Sequence, residues 1–243
     1  MPLAQMLGFP LQFFVRFFKH HGLLSVNHRP QWRVVRGGSR SYVAPLCAPF
    51  AEAIRLNCPV LGVSRDADGV SVFSRAGRER YDKVVFACHS DQALLTLHDP
   101  SQAERDILGA LQYADNDVVL HTDTRLLPHR PLAWASWNYR LGGQSTQPAA
   151  VTYNMNILQG IDAPQTFCVS LNQTEAIDPG KILGRYTYAH PQFSLAGIRA
   201  QARQAELHGA QHTYYCGAYW GNGFHEDGVA SGLRVAAAFG EYL

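Results

Sequence analysis

The run from Tyr214 to Gly232, YYCGAYWGNGFHEDGVASG, constrains the fold more than any other stretch of these 243 residues. Thr213-Tyr214-Tyr215-Cys216 has the aromatic and β-branched character of a strand. The chain then passes through Gly217, Gly221 and Gly223, and a helical pattern starts near Glu226–Gly228. A strand that ends in glycines and hands over to a helix is a βα turn, so this end is expected to belong to an α/β layer. Glycines let backbone amides approach a ligand with no Cβ in the way. The first amides of the helix are unpaired donors at the positive end of a dipole, and Glu226 and Asp227 suit its first turn. Two readings fit: an ordinary well-capped βα turn, or a seat for an anion or a ligand oxygen. On the helix, Val229, Leu233, Ala236 and Ala237 are expected to form one apolar face, with Ala230, Ser231 and Gly232 allowing a neighbour close.

A second block has the same style. Residues 32–96 read as β-α-β-β. Trp32–Val35 is a short extended run and Gly37-Gly38 a turn. From Ser39 onward Tyr42, Val43, Leu46, Phe50, Ala53 and Ile54 fall near helical spacing, and Pro49 is expected to delay or kink that helix. Pro59–Val63 reads as a strand, and Asp68-Gly69 and Ala76-Gly77 as the turns of a hairpin. Val84-Val85-Phe86-Ala87 reads as a strand covered on both faces, as in a parallel sheet. Residues 97–210 differ. Ser101 with Glu104 three residues on is a capping-box signature for a helix over Ser101–Leu111. Four β-like runs follow, Val118–His121, Ala133–Tyr139, Val151–Leu158 and Phe167–Leu171, and Gly197–His208 reads as another helix. The expected fold class is therefore α/β (α+β mixed), with a mostly antiparallel sheet inserted into a layer of the first style. The expected boundaries are 32–96 with 211–243 for one domain, and 1–31 with 97–210 for the other.

Composition narrows the function. A net charge of +2 gives no reason to expect nucleic acid as a partner. Five scattered cysteines with no C-x-x-C pair read as reduced thiols in the cytoplasm. No window reaches the ~18 apolar residues of a transmembrane helix. The apolar run Leu7–Phe18 is broken by Pro10 and Arg16 and lacks the flanks of a signal peptide. It fits either a segment packed on a core or lining a pocket, or an amphipathic strip in weak contact with a membrane or a lipidic substrate. The eleven histidines form no H-E-x-x-H pattern, so no metal site is expected. Ser25, Ser39 and Ser90 lack G-x-S-x-G context, which argues against a hydrolase. Trp134, Trp137, Asn138 and Tyr139 fit either the wall of a substrate cavity or a core strand. His121 and His190 fit either acid–base groups or structural histidines.

Three blocks together resemble the flavin-containing amine oxidase family. They are QWRVVRGGSRSYVAPL (Gln31–Leu46), the strand–hairpin–strand block Leu56–Leu94, and CGAYWGNGFHEDGVASG (Cys216–Gly232). The resemblance is nearest to a bacterial branch of NAD/FAD-binding proteins, on HGLLSVNHRPQW, WASWNY, TYNMNILQG and GFHEDG; Asn222 stands where an aromatic is expected. It implies an FAD domain of incomplete Rossmann-like form, interleaved with a mostly antiparallel substrate domain, and transfer of hydride from a hydrophobic small molecule to flavin. It also implies a set of cofactor contacts. Gly38 belongs to the Gly-Gly turn, and the Val60 backbone meets the adenine. Gly217 and Ala218 lie near the ribityl and pyrophosphate portion. Gly223, Phe224 and His225 lie near the flavin ring, with the His225 amide aimed at its C2 oxygen and Glu226 completing the stretch. No lysine among Lys19, Lys83 and Lys181 matches the one beside flavin N5 in monoamine oxidases, so the catalytic residues stay unassigned. Family proteins begin with a strand, a G-x-G-x-x-G turn and a helix, and this sequence has no such motif. The chain is therefore expected to be a piece of a longer enzyme. The alternatives are a protein completed by a second chain, a binding module that has lost its cofactor, or a peripheral lipid-binding protein.

Overall fold

The structure, a computed structural model, describes residues 9–28, 31, 33–140 and 150–242. Along the chain the helices are α1 (Leu11–His20), α2 (Val43–Cys47), α3 (Ser90–Thr96), α4 (Gln102–Gly109), α5 (Met155–Gln159), α6 (Leu195–Ala202) and α7 (His225–Ala238). The strands are β1 (Val60–Asp66), β2 (Gly69–Ser74), β3 (Gly77–Tyr81), β4 (Val84–Phe86), β5 (Tyr113–His121), β6 (Trp137–Arg140), β7 (Ala150–Asn154), β8 (Cys168–Leu171), β9 (Ile182–Pro191) and β10 (Thr213–Tyr215). They fall into two compact units. One comprises Met1–Phe9, Gly22–Ala48 and Ala114–His190; the other comprises Pro10–His21, Pro49–Tyr113 and Pro191–Leu243. These boundaries differ from the sequence expectation at Pro10–His21, residues 32–48, residues 97–113 and residues 191–210.

The second unit is built on two small sheets. β1, β2 and β3 form an antiparallel meander, with Asp66 opposite Gly69 at the first turn. Gly69 has φ +140°, and a Cβ there would lie 2.6 Å from the Tyr81 carbonyl oxygen, so the turn requires glycine. β4 pairs with β10 in parallel, Phe86 opposite Tyr215. The expectation that Val84–Ala87 is covered on both faces does not hold here: Phe86 is buried, but Val85 is 42% exposed. Core side chains cover the Phe86 face of β4, and the Val85 face is left open among the described residues. The capping box at α4 forms as its sequence signature predicts: Ser101 Oγ accepts from the Glu104 amide at 3.2 Å, and Glu104 accepts from the Ser101 amide at 2.7 Å. The core of the unit gathers Val63 and Val70 from the meander, Phe86 and Tyr215 from the parallel pair, Ile107 and Leu108 from α4, and Trp220.

A buried ion network ties these pieces. Arg65 on β1 grips Glu104 on α4 through both guanidinium arms, at 2.5 and 2.9 Å, and the Tyr215 hydroxyl on β10 donates to Glu104 at 2.5 Å. Arg65 also donates to Asp99 at 3.1 Å. Burial alone would raise the Glu104 carboxyl. The Arg65 guanidinium, the Tyr215 hydroxyl and the Ser101 amide overcome burial and hold it at about 2.

The first unit carries a five-stranded sheet in the order β6-β7-β8-β5-β9. β6–β7, β7–β8 and β5–β8 are antiparallel. The registers put Val119, His121, Cys168, Ser170, Thr152 and Asn154 on one face, which is buried. Trp137, Tyr139, Val151, Tyr153, Val169, Leu171 and Leu120 share the other. β9 is a ten-residue strand that the sequence reading did not pick out. The helix expected from Ser39 onward is instead three short consecutive pieces, Ser39–Tyr42, Val43–Cys47 and Ala48–Ala53, and the expected kink falls in the last, where Phe50 leaves helical geometry directly after Pro49. Of the run Val151–Leu158, only the first part is strand; Asn154 caps α5 through a bond to the Ile157 amide. Trp32 lies outside the described residues.

Candidate functional site

The site forms where β4 and β10 end side by side. Ligands of parallel α/β sheets bind at the carboxyl ends of the strands. After β10 the chain turns at Gly217, makes one 3-10 turn over Ala218–Trp220, and enters α7 through Gly223 and Phe224. This loop is pinned at both ends. Ser231 Oγ accepts from the Gly217 amide at 2.8 Å and donates to the Gly228 carbonyl at 2.8 Å. Asp227 accepts from the Phe224 amide at 2.9 Å. Gly223 has φ +90°, the left-handed region that only glycine enters without strain.

The start of α7 has an open set of donors. In a full capping box the N-cap side chain accepts from the third helical amide. Here the N-cap is Phe224, whose ring has no acceptor, so only the Asp227 half of the box forms. The His225, Glu226 and Asp227 amides therefore begin a fourteen-residue helix with no side-chain cap. Phe224, His225 and Glu226 are all exposed. α7 turns Gly228, Ser231 and Val235 inward; of the expected apolar face Val229 and Leu233 are exposed and Ala236 and Ala237 half-buried, while Ser231 makes the close approach expected of it. Small side chains at Gly228 and Ser231 let the helix sit close to the loop, so the inward face follows backbone approach and not apolar spacing.

Val60, at the start of β1, lines a groove of about 450 Å³ with Val63, Val72, Val84, Phe86 and Cys88. The unit that holds β4 and β10 thus contains Val60, Gly217, Ala218, Gly223, Phe224, His225 and Glu226, and Gly38 belongs to the other unit. Of the four buried side-chain polar atoms without a partner among the described residues, two lie on the loops at these strand ends: Tyr219 Oη, after β10, and His89 Nδ1, after β4. Burial pushes the Tyr219 hydroxyl above its usual range, so it stays a neutral donor. Open helix amides, glycine backbone and unpartnered polar atoms on the two strand-end loops fit a ligand rich in oxygen acceptors, as a flavin cofactor is.

α1 packs against this loop within the same unit. Phe13 stacks on Phe193 at 4.1 Å, Phe17 on Phe224 at 5.8 Å, and the His21 ring lies 5.1 Å from Phe224. Leu7, the start of the apolar run, lies outside the described residues. The remaining candidates divide. Trp134 Nε1 donates to the Pro128 carbonyl and Asn138 bonds Ala135, so both hold a turn together. Trp137 meets Tyr153 edge-on at 6.1 Å on the open sheet face, where Tyr139 is also exposed. His190 bonds Asn116 at 3.0 Å. His121 is fully buried: its Nδ1 accepts from the Asp123 amide at 3.0 Å and its Nε2 lies 2.8 Å from Ser170 Oγ. An Nδ1 that accepts places the proton on Nε2, which then donates to Ser170. His121 is therefore not a base for Ser170, and burial lowers its affinity for a second proton. Lys83 lies over the Phe239 ring and Lys181 is 3.9 Å from Asp123. Among the described residues no cluster of metal ligands occurs, and no helix is long and apolar enough to cross a membrane.

The described residues thus combine a mixed α/β unit, with a glycine loop at the ends of two parallel strands, and a unit with a mostly antiparallel sheet. The chain belongs to the flavin containing amine oxidoreductase family, whose model matches residues 10–153. Among solved structures it is similar to cyclohexylamine oxidase from Brevibacterium oxydans IH-35A, at 13% identity and TM-score 0.58, covering 95% of this chain and 59% of that one. It is similar to putrescine oxidase bound to putrescine, at 13% identity and TM-score 0.56, covering 84% and 53%. It is also similar to the CLA-producing fatty acid isomerase from P. acnes, at 15% identity and TM-score 0.55, covering 75% and 47%. The chain thus spans about half the length of these structures. No curated protein matches it.

Proposed function

We propose that this chain supplies the flavin-ring end of the FAD site of an amine-oxidase-like oxidoreductase, which transfers hydride from a hydrophobic small molecule to the flavin. The observation that carries this reading is the uncapped start of α7, reached through a glycine loop at the ends of two parallel strands. Bound there, FAD would supply the two-electron acceptor. The His225–Asp227 amides would hold ring oxygens, Gly217 and Ala218 would let the ribityl and pyrophosphate portion lie against backbone, and Val60 would meet the adenine. Gly38, in the Gly-Gly turn, is proposed as a further contact. Phe17, His21 and Phe224 form an aromatic wall that would exclude water beside the ring. β4 pairs on one edge with β10 alone among the described residues, which supports a further parallel strand on its other edge, from the same protein or a second one. Trp137, Tyr139 and Tyr153 on the open sheet face support an apolar substrate. The five free cysteines support a reducing, cytoplasmic setting.

The test is direct. FAD is titrated into the purified chain and into the complete protein, and binding is followed by flavin fluorescence and absorbance. Weak binding by the chain and stoichiometric binding by the complete protein are expected. A complete protein that never holds FAD, even with cofactor added, refutes the reading.

A further inference from the structure

The middle of the Gly217–Gly223 loop is held by one side chain from another element. Gln201, in the last turn of α6, places Nε2 2.8 Å from the Tyr219 carbonyl oxygen and 2.8 Å from the Gly221 carbonyl oxygen. The two hydrogens of one amide thus end on alternate carbonyls of a single turn. α6 is itself fixed: Ser194 caps it through the Gly197 amide at 3.0 Å, and its Ala200 is buried in the core. The other anchors act at the loop's ends, Ser231 on Gly217 and Asp227 on Phe224. Gln201 acts between them, from a helix eighteen residues or more away in sequence.

We propose that Gln201 is a positioning residue that fixes the pitch of this loop and so aims the first amides of α7 at the flavin ring. The inference rests on the flavin seat proposed above, but its first readout needs no flavin. The reporters are the Trp220, Gly221 and Gly223 amides, which bond to Gly217 and Ala218 carbonyls within the loop. The control is the Cys216 amide, bonded to Phe86 at 2.9 Å outside it. Hydrogen exchange is measured in the wild-type chain, Gln201→Met and Gln201→Glu, each variant compared with wild type at the same pH. Met keeps the length and donates nothing. Loss of two neutral hydrogen bonds is expected to speed exchange at the three loop amides about tenfold and to leave Cys216 unchanged. Glu donates nothing as a carboxylate near about pH 8. Near about pH 5 its protonated form, favoured beside two carbonyl oxygens, donates one bond and recovers part of the protection. A side chain that only fills space gives no such recovery. Unchanged loop exchange in Gln201→Met, acceleration spread equally to Cys216, or a Gln201→Glu variant without the acid recovery overturns the proposal. With FAD added, Gln201→Met is expected to bind about tenfold more weakly than wild type; equal affinity with a loosened loop overturns the aiming role. A complete protein that takes no FAD while the exchange pattern holds counts against the flavin seat and supports the clamp.

Discussion

Replacing Glu104 by glutamine is expected to destabilise the unit built on β1, β4 and β10 by about 3 kcal/mol near neutral pH. Glu104 is 3% exposed and accepts both arms of Arg65, whose side chain is 1% exposed, together with the Tyr215 hydroxyl. Glutamine keeps the volume and removes the charge, leaving Arg65 buried with only the partly exposed Asp99 as a counter-ion. Breaking one side of a buried pair costs about 3–5 kcal/mol. Proton linkage gives a similar figure. A carboxyl whose ordinary value is 4.5 and which is held at about 2 in the folded chain contributes about 3 kcal/mol. The folded value is depressed, so this stability is fully present above about pH 4.5 and is lost as pH falls toward about 2. By about pH 3 roughly 2 kcal/mol of it is gone. Thermal unfolding followed by circular dichroism measures both effects. Near pH 7 the variant's Tm should fall by roughly 10 °C, at about 2–4 °C per kcal/mol for a chain of this size. The gap between variant and wild type should close as the acid protonates Glu104 in the wild type. Arg65→Met combined with Glu104→Met removes both charges and should recover part of the loss. A Glu104→Gln Tm within about 2 °C of wild type, or a gap that does not shrink in acid, would refute the reasoning.

Three further outcomes follow from geometry. Ser170 should resist a fluorophosphonate probe in the native chain, because His121 donates to it and both are fully buried; labelling at Ser170 would show the opposite tautomer. Gly223→Ala should cost about 1–2 kcal/mol, because φ is +90°, and should weaken FAD binding; an unchanged Tm would mean the loop adopts another conformation at no cost. Cys168, fully buried and pushed up to about 11 mainly by burial, should be the last cysteine alkylated as denaturant is added, whereas the half-buried Cys47 and Cys58 react in the native chain; mass spectrometry of the order of labelling decides this.

The parts of the fold legible in the sequence are those whose cause is local. Ser101 and Glu104 announce the start of α4 because a capping box needs only two residues three apart. Asp68-Gly69 announces its turn because a Cβ at Gly69 would strike the Tyr81 carbonyl. The strand, glycine loop and helix of residues 213–238 were legible for the same reason. What escaped depends on partners distant in sequence. β9 carries no clear alternation, since its residues are mostly exposed or half-buried at the edge of its sheet, so period-two reasoning had nothing to detect. The inward face of α7 was legible only in part: the small residues were expected to let a neighbour close and Ser231 does so, whereas Gly228 and Val235 join it in place of Val229 and Leu233, which hydrophobic spacing had favoured. Gln201 left no sequence signal at all, because a glutamine in a helix is unremarkable until the carbonyls of Tyr219 and Gly221 are brought to it. The division runs through the site itself: the groups that would touch a cofactor are written into one short motif together with two of the groups that hold it, Asp227 and Ser231, and the third, Gln201, comes from α6.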